Sequence, residues 1–271
     1  MRHWIITLAL LAPCAAQAEE AETKSGNGPL FMKDLVGDRE FFAPWGIGLD
    51  FFTMDQDYDL KDLYLNVPDL GGEIDIDPSQ VAVTNKVQHF DLKLDAWITP
   101  FLNVFGLVGR VDADTVVDLG SVEVPGLGSL PAFPVSYDGT VWGLGANLVY
   151  GTENWFGAVN TTWTKANLSG DYDSSVETWT IQPRVGLIRN KWTAWVGGMW
   201  LDTQESHQGE FNLELPGIPP IPLEFDADLE TADKWNYAAG IGYIFSPKAT
   251  IRFEYGFGDR NHTLFNFTYR F

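Results

Sequence analysis

The sequence has almost no cysteine, few basic residues and no long apolar run past its first segment. Each shortage removes a class of protein. The 271 residues include 1 Cys, Cys14, which lies near the start. Disulfides and thiolate chemistry are thereby excluded for the rest of the chain. Lys and Arg number 17 against 37 Asp and Glu, for a formal net charge of −20. No basic patch exists to follow a phosphate backbone, so nucleic acid is excluded as a partner. Beyond residue 18 no stretch reaches the roughly 18 apolar residues that read as a membrane-crossing helix. A chain that crosses a membrane without such helices crosses it with strands.

What is present begins with a secretory leader. Arg2 precedes an apolar run from Trp4 to Ala12, and Ala16-Gln17-Ala18 has the small-residue form of a cleavage site. Pro13 stands before Cys14, where a lipoprotein signal would place a small residue, so removal near Ala18 is expected rather than lipidation. Cleavage takes Arg2 with it and leaves 16 − 37 = −21. Aromatics are abundant, with 11 Trp, 18 Phe and 9 Tyr. An acidic soluble domain needs few of these, whereas a lipid-facing barrel needs girdles of them at both interfaces.

Three segments follow from this: a signal peptide at 1–18, a polar and then amphipathic periplasmic leader at 19–43, and a barrel at 44–271. From Trp45 the pattern has period two. Near the end, Thr263, Phe265, Phe267, Tyr269 and Phe271 alternate with Leu264, Asn266, Thr268 and Arg270. The stretches 235–245 and 251–258 alternate in the same way. Earlier strands are expected near 45–54, 83–98, 101–112, 139–150, 155–167, 176–189 and 192–204, a total of ten. The stretches 101–112 and 192–204 are apolar on both faces, which leaves their inward side open. Tight turns alternate with long connections at about 55–82, 113–138, 168–175 and 205–233. The expected fold is therefore all-β: a closed antiparallel transmembrane barrel of about ten strands with long outer hairpins.

The ending Thr263-Leu-Phe-Asn-Phe-Thr-Tyr-Arg-Phe271, with Phe265, Phe267, Tyr269 and a terminal Phe271, resembles the C-terminal signature of bacterial outer-membrane β-barrel proteins. The resemblance implies a Gram-negative outer membrane, contact with lipopolysaccharide and recognition by the barrel-assembly machinery.

The outer hairpins hold three similar tips, Leu65–Gly71, Val122–Gly128 and Leu213–Pro219, each with a central proline. Their flanks carry acid on alternate residues: Asp55, Asp57 and Asp59; Glu73, Asp75 and Asp77; Glu224, Asp226, Asp228 and Glu230. Crowded carboxylates repel unless they are solvated or bridged by a cation, and Ca²⁺ suits such oxygen ligands. None of these segments has the spacing of a compact calcium loop. His207 and His262 are expected in loops.

The inward positions include His89, Asp91, Lys93, Asp95, Arg184, Arg252, Glu254 and Arg270. Both signs in a tight lumen imply internal ion pairs. His89 and Asp91 share a face and could form an oriented base. Barrels resembling omptin proteases use Asp and His near the outer rim, but no omptin motif surrounds these residues. No nucleophile elbow, phosphate loop or zinc signature is present, so no catalytic residue and no cofactor is expected; calcium is the one candidate, and a solvated acidic face is preferred to it. Two functional readings follow. A narrow or gated, porin-like channel for small solutes is preferred, with cation preference from its acidic mouth. The alternative is a surface-binding or structural barrel whose acidic hairpins meet a partner, lipopolysaccharide or divalent cations. If the acidic flanks are simply solvated, millimolar Ca²⁺ will leave the thermal midpoint of the purified protein unmoved. A Ca²⁺-dependent rise would mark a cation site.

Overall fold

A computed structural model describes residues 28–37, 41–67, 72–75, 77–119, 123–124, 128–129, 132–170, 173–213 and 221–271. The strands are β1 (Trp45–Val67), β2 (Gly72–Asp75), β3 (Ala82–Thr99), β4 (Leu102–Asp118), β5 (Glu123–Val124), β6 (Gly128–Ser129) and β7 (Phe133–Gly151). They continue with β8 (Trp155–Gly170), β9 (Asp173–Arg189), β10 (Trp192–Leu213), β11 (Ile221–Thr231), β12 (Trp235–Ser246), β13 (Ala249–Phe257) and β14 (Asn261–Arg270). Ten of these close into a ring in the order β1-β14-β13-β12-β10-β9-β8-β7-β4-β3, with β3 returning to β1. Every pairing is antiparallel. These are the ten strands that the alternation predicts. The tight turns lie at one end, and Asn190 supplies the positive φ of 56° that a two-residue hairpin requires.

The barrel changes strand number along its height. β12, β13 and β14 hold 12, 9 and 10 residues, whereas β1 and β10 hold 23 and 22. The lower part of β10 pairs with β12, from Trp192↔Tyr243 to Trp200↔Trp235. Its upper part pairs with β11, from Gln204↔Glu230 to Leu213↔Ile221. β1 pairs with β14 over Gly46 to Asp55 and with β11 over Tyr58 to Asn66. One strand thus stands in for three, and the wall continues outward as an eight-stranded ring of β1, β11, β10, β9, β8, β7, β4 and β3. Without β11 the upper edges of β1 and β10 would be left unpaired. Much of the stretches 55–82, 113–138, 168–175 and 205–233 is therefore strand, as expected of hairpins that carry the wall outward. Most of the three proline tips, the signal peptide and the first part of the leader fall outside the described residues. Among the described residues of the leader, the amphipathic piece forms a 3-10 turn, Lys33–Leu35.

Arg260 closes the junction where β11 gives way to β12–β14. It is 2% exposed. Its guanidinium donates to the carbonyl oxygens of Met199 and Lys234, each at 3.3 Å, and to that of Asp233. Asn236 Nδ2 donates to the Arg260 carbonyl at 2.7 Å. Burial pulls the guanidinium down to about 10, so it stays charged at neutral pH.

The outer face carries two aromatic girdles. The lower holds Tyr150 against Trp155 at 5.9 Å and Trp192 against Tyr243 at 4.8 Å. The upper holds Trp142 against Trp163 at 5.0 Å and Tyr237 against Phe257 at 6.2 Å. From Trp142 to Tyr150, and from Trp155 to Trp163, the span is nine residues, and a tilted membrane strand needs about 9–11. The two ambiguous strands now have an inward side. β4 buries Asn103, Phe105, Leu107 and Val111, and β10 buries Thr193, Trp195, Met199 and Leu201. The inward indole of Trp195 fits because Gly240 on β12 faces it, where any Cβ would collide with the ring. The loop expectation for His207 and His262 is corrected. Both point inward, from β10 and β14, and are 3% and 1% exposed. The alternation of β10 runs on past residue 204, and β14 begins before residue 263.

Arg260→Ala is expected to leave junction carbonyls without a donor and to cost about 1–3 kcal/mol. Lys61→Ala removes only an exposed pair with Glu230 and should change stability by less than about 0.5 kcal/mol. Denaturant midpoints of the two variants in lipid vesicles check the contrast.

Candidate functional site in the lumen

The lumen is filled in storeys. At the end with tight turns, Phe41, Phe42 and Ala43 of the leader enter the mouth and are 4%, 6% and 3% exposed. Phe41 and Phe42 pack with Trp97, Val149, Phe156, Ile188 and Trp195 into an apolar floor. Phe41 meets Trp97 edge-on at 5.3 Å, and the Arg270 guanidinium lies 5.7 Å from the Phe42 ring. The Trp97 amide donates to the Pro44 carbonyl at 2.8 Å, which fixes the entering chain to β3.

Above the floor lies a charged layer. All eight inward residues named from the sequence are here, each at 8% exposure or less. Arg184 grips Glu254 through two donors, Nε at 2.7 Å and Nη2 at 2.6 Å, and Trp195 Nε1 donates to the same carboxylate at 2.5 Å. Lys93 donates to Asp50 at 2.9 Å, and Asn266 Nδ2 donates to the other oxygen of Asp50. Arg270 donates to Asp95 at 2.7 Å. An amide relay then runs around the ring. Asn160 donates to Asn147 at 2.6 Å, Asn147 to Asn103 at 2.9 Å, and Asn103 to Asp95 at 2.5 Å. It links β8, β7, β4 and β3, and Arg270 extends it to β14. Arg252 lies among Arg270, Asp95, Asp50 and Arg184. His89 Nδ1 is 2.9 Å from Asp91, and His262 Nε2 is 3.7 Å from Glu254. The Phe52 ring lies between the two imidazoles, at 6.2 Å and 5.7 Å.

Charge is balanced within. Among the described residues the buried carboxylates are Asp50, Asp91, Asp95, Glu205 and Glu254, and the buried Lys and Arg are 93, 184, 252, 260 and 270, so 5 − 5 = 0. Such neutrality is what a low-dielectric interior requires, since an unpaired buried charge is costly. Higher up, an apolar storey includes Met54, Val87, Val111, Met199 and Leu201.

A further cluster lies near the outer rim. Ser174 Oγ is 2.7 Å from His207 Nδ1, His207 Nε2 is 2.7 Å from Glu205, and Tyr137 Oη is 3.4 Å from the same Nδ1. With Ser174 donating to Nδ1, Nε2–H donates to Glu205, which is the order of a hydroxyl–imidazole–carboxylate relay. Ser174 is 8% exposed. It pairs with Leu168 on one side and His207 on the other. The neighbouring amides thus serve two ladders rather than an oxyanion hole. The sequence reading missed this cluster because His207 was placed in a loop. The available signal was the unbroken alternation Ser174, Val176, Thr178, Thr180, Gln182, Arg184 on β9.

The described acidic side chains of the flanks lie outside the wall. Asp55 pairs with Lys86 at 3.3 Å and Glu230 with Lys61 at 2.6 Å. Asn66 donates to Glu224 at 2.8 Å, and Gln208 to Asp226 at 2.8 Å. Asp77 caps the turn Pro78–Gln80, and hydrogen bonds from the Ser79 hydroxyl and amide hold its carboxyl below the usual range. Asp57, Asp59 and Asp228 are exposed, and Glu73 and Asp75 pair by register with Asn66 and Tyr64. Among the described residues no three His, Cys, Asp or Glu are placed to hold a metal ion. The final strand turns Phe265, Phe267, Tyr269 and Phe271 to the lipid side, and the Phe271 amide donates to the Trp45 carbonyl at 3.0 Å.

The ring, its girdles and its charged interior define a bacterial outer-membrane β-barrel. No protein-family model matches the chain, and no curated protein matches its sequence. Among solved structures, the chain is similar to the transport unit of the autotransporter AIDA-I from Escherichia coli (TM-score 0.42, 12% identity, 90% of this chain and 95% of that one). It is also similar to the β-domain of the Bordetella autotransporter BrkA (0.41, 14%, 84% and 100%) and to a Pseudomonas aeruginosa FadL homologue (0.31, 10%, 84% and 90%).

Glu254→Leu strands Arg184 in the interior and is expected to cost about 3–5 kcal/mol, while the double variant Arg184→Met/Glu254→Leu recovers most of that. Refolding midpoints in vesicles measure both. Equal midpoints for the single and double variants would show that the stranded Arg184 carries no penalty.

Proposed function

We propose that the protein is a non-conducting barrel of the Gram-negative outer membrane that acts through its acidic outer wall. The carrying observation is the filled lumen: an aromatic floor from Phe41 and Phe42 lies under a charge-balanced network. A continuous pore needs a water-filled path, whereas here buried apolar clusters draw side chains from most strands of the ring into the interior, and the bidentate Arg184–Glu254 pair joins the non-neighbouring strands β9 and β13. The wall is the part that reaches outward, and its exposed face carries most of the acid. It suits divalent cations that bridge to lipopolysaccharide phosphates, or a cationic partner. In this reading the signal peptide is cleaved near Ala18 and the barrel-assembly machinery reads the last strand. The buried Ser174–His207–Glu205 and His89–Asp91 groups serve structure rather than catalysis.

A second reading, a gated narrow channel, draws on one observation. Phe41 and Phe42 of the floor come from the leader and not from the wall, so they can leave without breaking a strand pairing. Planar-bilayer recording separates the two readings. The unmodified protein is expected to be silent, and a variant lacking residues 28–43 should stay silent because the ion-paired layer persists. Reproducible unitary conductance in the unmodified protein would overturn the proposal. Conductance in the truncated variant alone would establish the gated channel.

A further inference from the structure

The stretch of leader before the floor presents an apolar knuckle outside the lumen. Phe31, Met32 and Leu35 are 64%, 54% and 66% exposed. Three large apolar side chains within five residues are unusual for a surface facing water. The knuckle has a fixed shape. Met32 takes left-handed angles, φ 58° and ψ 36°, and leads into the turn Lys33–Leu35. Its position is fixed as well. The amides of Leu30 and Phe31 donate to the carbonyls of Trp97 and Ile98 at 2.9 Å and 2.8 Å. Those residues end β3 at the lower lipid edge, where Trp45, Phe101 and Phe271 are 43%, 39% and 59% exposed. The knuckle therefore continues the lipid-facing surface.

Charge at this end differs from that of the whole chain. Among the described residues the exposed side-chain charges near the tight turns are Lys33, Arg189, Lys191 and Lys248 against Asp34 and Glu153, so 4 − 2 = +2, a sum that leaves out Asp38, Arg39 and Glu40 of the same leader. The chain as a whole carries −20. A cationic rim beside exposed apolar side chains is the combination that binds an anionic phospholipid surface.

We propose that the Phe31–Leu35 knuckle is an interfacial anchor. Phe31, Met32 and Leu35 enter the headgroup edge of the inner phospholipid leaflet, and the rim cations meet anionic headgroups. The anchor holds the chain that leads to Phe41 and Phe42, so lipid contact and the lumen floor are joined. This inference rests on the lipid-facing band and is independent of whether the lumen conducts.

The test uses the full chain with Cys14→Ser, which removes its one thiol. Phe31→Cys and Leu35→Cys are labelled with bimane and placed in vesicles of phosphatidylethanolamine with phosphatidylglycerol. Ile98→Cys reports the lipid face, and Asp228→Cys reports water at the outer wall. Heat-modifiable gel mobility confirms that each variant has folded. Nitroxide lipids labelled near the headgroup are expected to quench positions 31 and 35 at least roughly half as strongly as position 98. Adding Lys33→Glu and Lys191→Glu should lower that quenching in the anionic vesicles and leave it unchanged in neutral phosphatidylcholine. Quenching by aqueous iodide at the level of position 228, without quenching by nitroxide lipid, would make the knuckle a water-exposed or protein-binding surface and overturn the proposal. Insensitivity to both quenchers would place it against protein and overturn it equally.

Discussion

In hydrocarbon a backbone amide or carbonyl without a partner costs several kcal/mol, and no water is present to relieve it. The ring follows from that constraint, because a strand edge left open would be a row of such groups. It also accounts for the change from ten strands to eight. β12, β13 and β14 turn back at the upper girdle, while β1 and β10 run on for a further ten or so residues. Their free edges would face one another across a gap. β11 fills that gap, pairing with β10 through Leu213 and with β1 through Asn66. The geometry cannot be perfect where one strand replaces three, and Arg260 supplies donors to the carbonyls left at that seam.

Closure at ten strands then dictates the interior. The enclosed width is close to what side chains alone fill. Each charge that points inward must find its opposite within reach, which explains why the interior sums to zero although the chain carries −20. The acid is segregated outward, where water solvates it. Size is balanced in the same way. Gly240 sits opposite Trp195 and Gly256 opposite His262, and at either position a Cβ would collide with the ring. The frequent inward glycines are therefore seats for large or charged partners on the next strand.

How much of this the sequence could disclose depended on contrast between the two faces of a strand. β14 alternates aromatics with Asn266, Thr268 and Arg270, so its inward side was legible without coordinates. The eight lumen residues were legible for the same reason. β4 and β10 carry apolar side chains on both faces in the membrane, so periodicity alone left them undecided. What decides them is a neighbour: Trp195 goes inward because Glu254 and Gly240 receive it. Asp50 was legible in principle, since Gly46, Gly48 and Asp50 share a face of β1. The pairing of β11 with two strands at once was not, because local pattern does not encode which edges are left free. His207 was misplaced because acid and amide residues around 204–210 resemble a loop, although their alternation persists.

The outer end of the barrel is strongly acidic, and that charge constrains what the outer wall can contact. Just above the upper girdle the few outer cations are already engaged. Lys86 pairs with Asp55 at 3.3 Å, Arg110 with Asp138 at 2.5 Å, and Lys234 with Asp202 at 2.7 Å. Few of the described cations beside the lipid headgroups remain free for phosphate. Screening limits the reach of the remaining carboxylates to about 8 Å at physiological salt. An anionic headgroup within that distance is repelled unless a multivalent cation lies between. The acidic wall is thus kept from any anionic surface by repulsion unless multivalent cations are shared between them. The rigid, filled barrel beneath it fixes the height at which that choice is made.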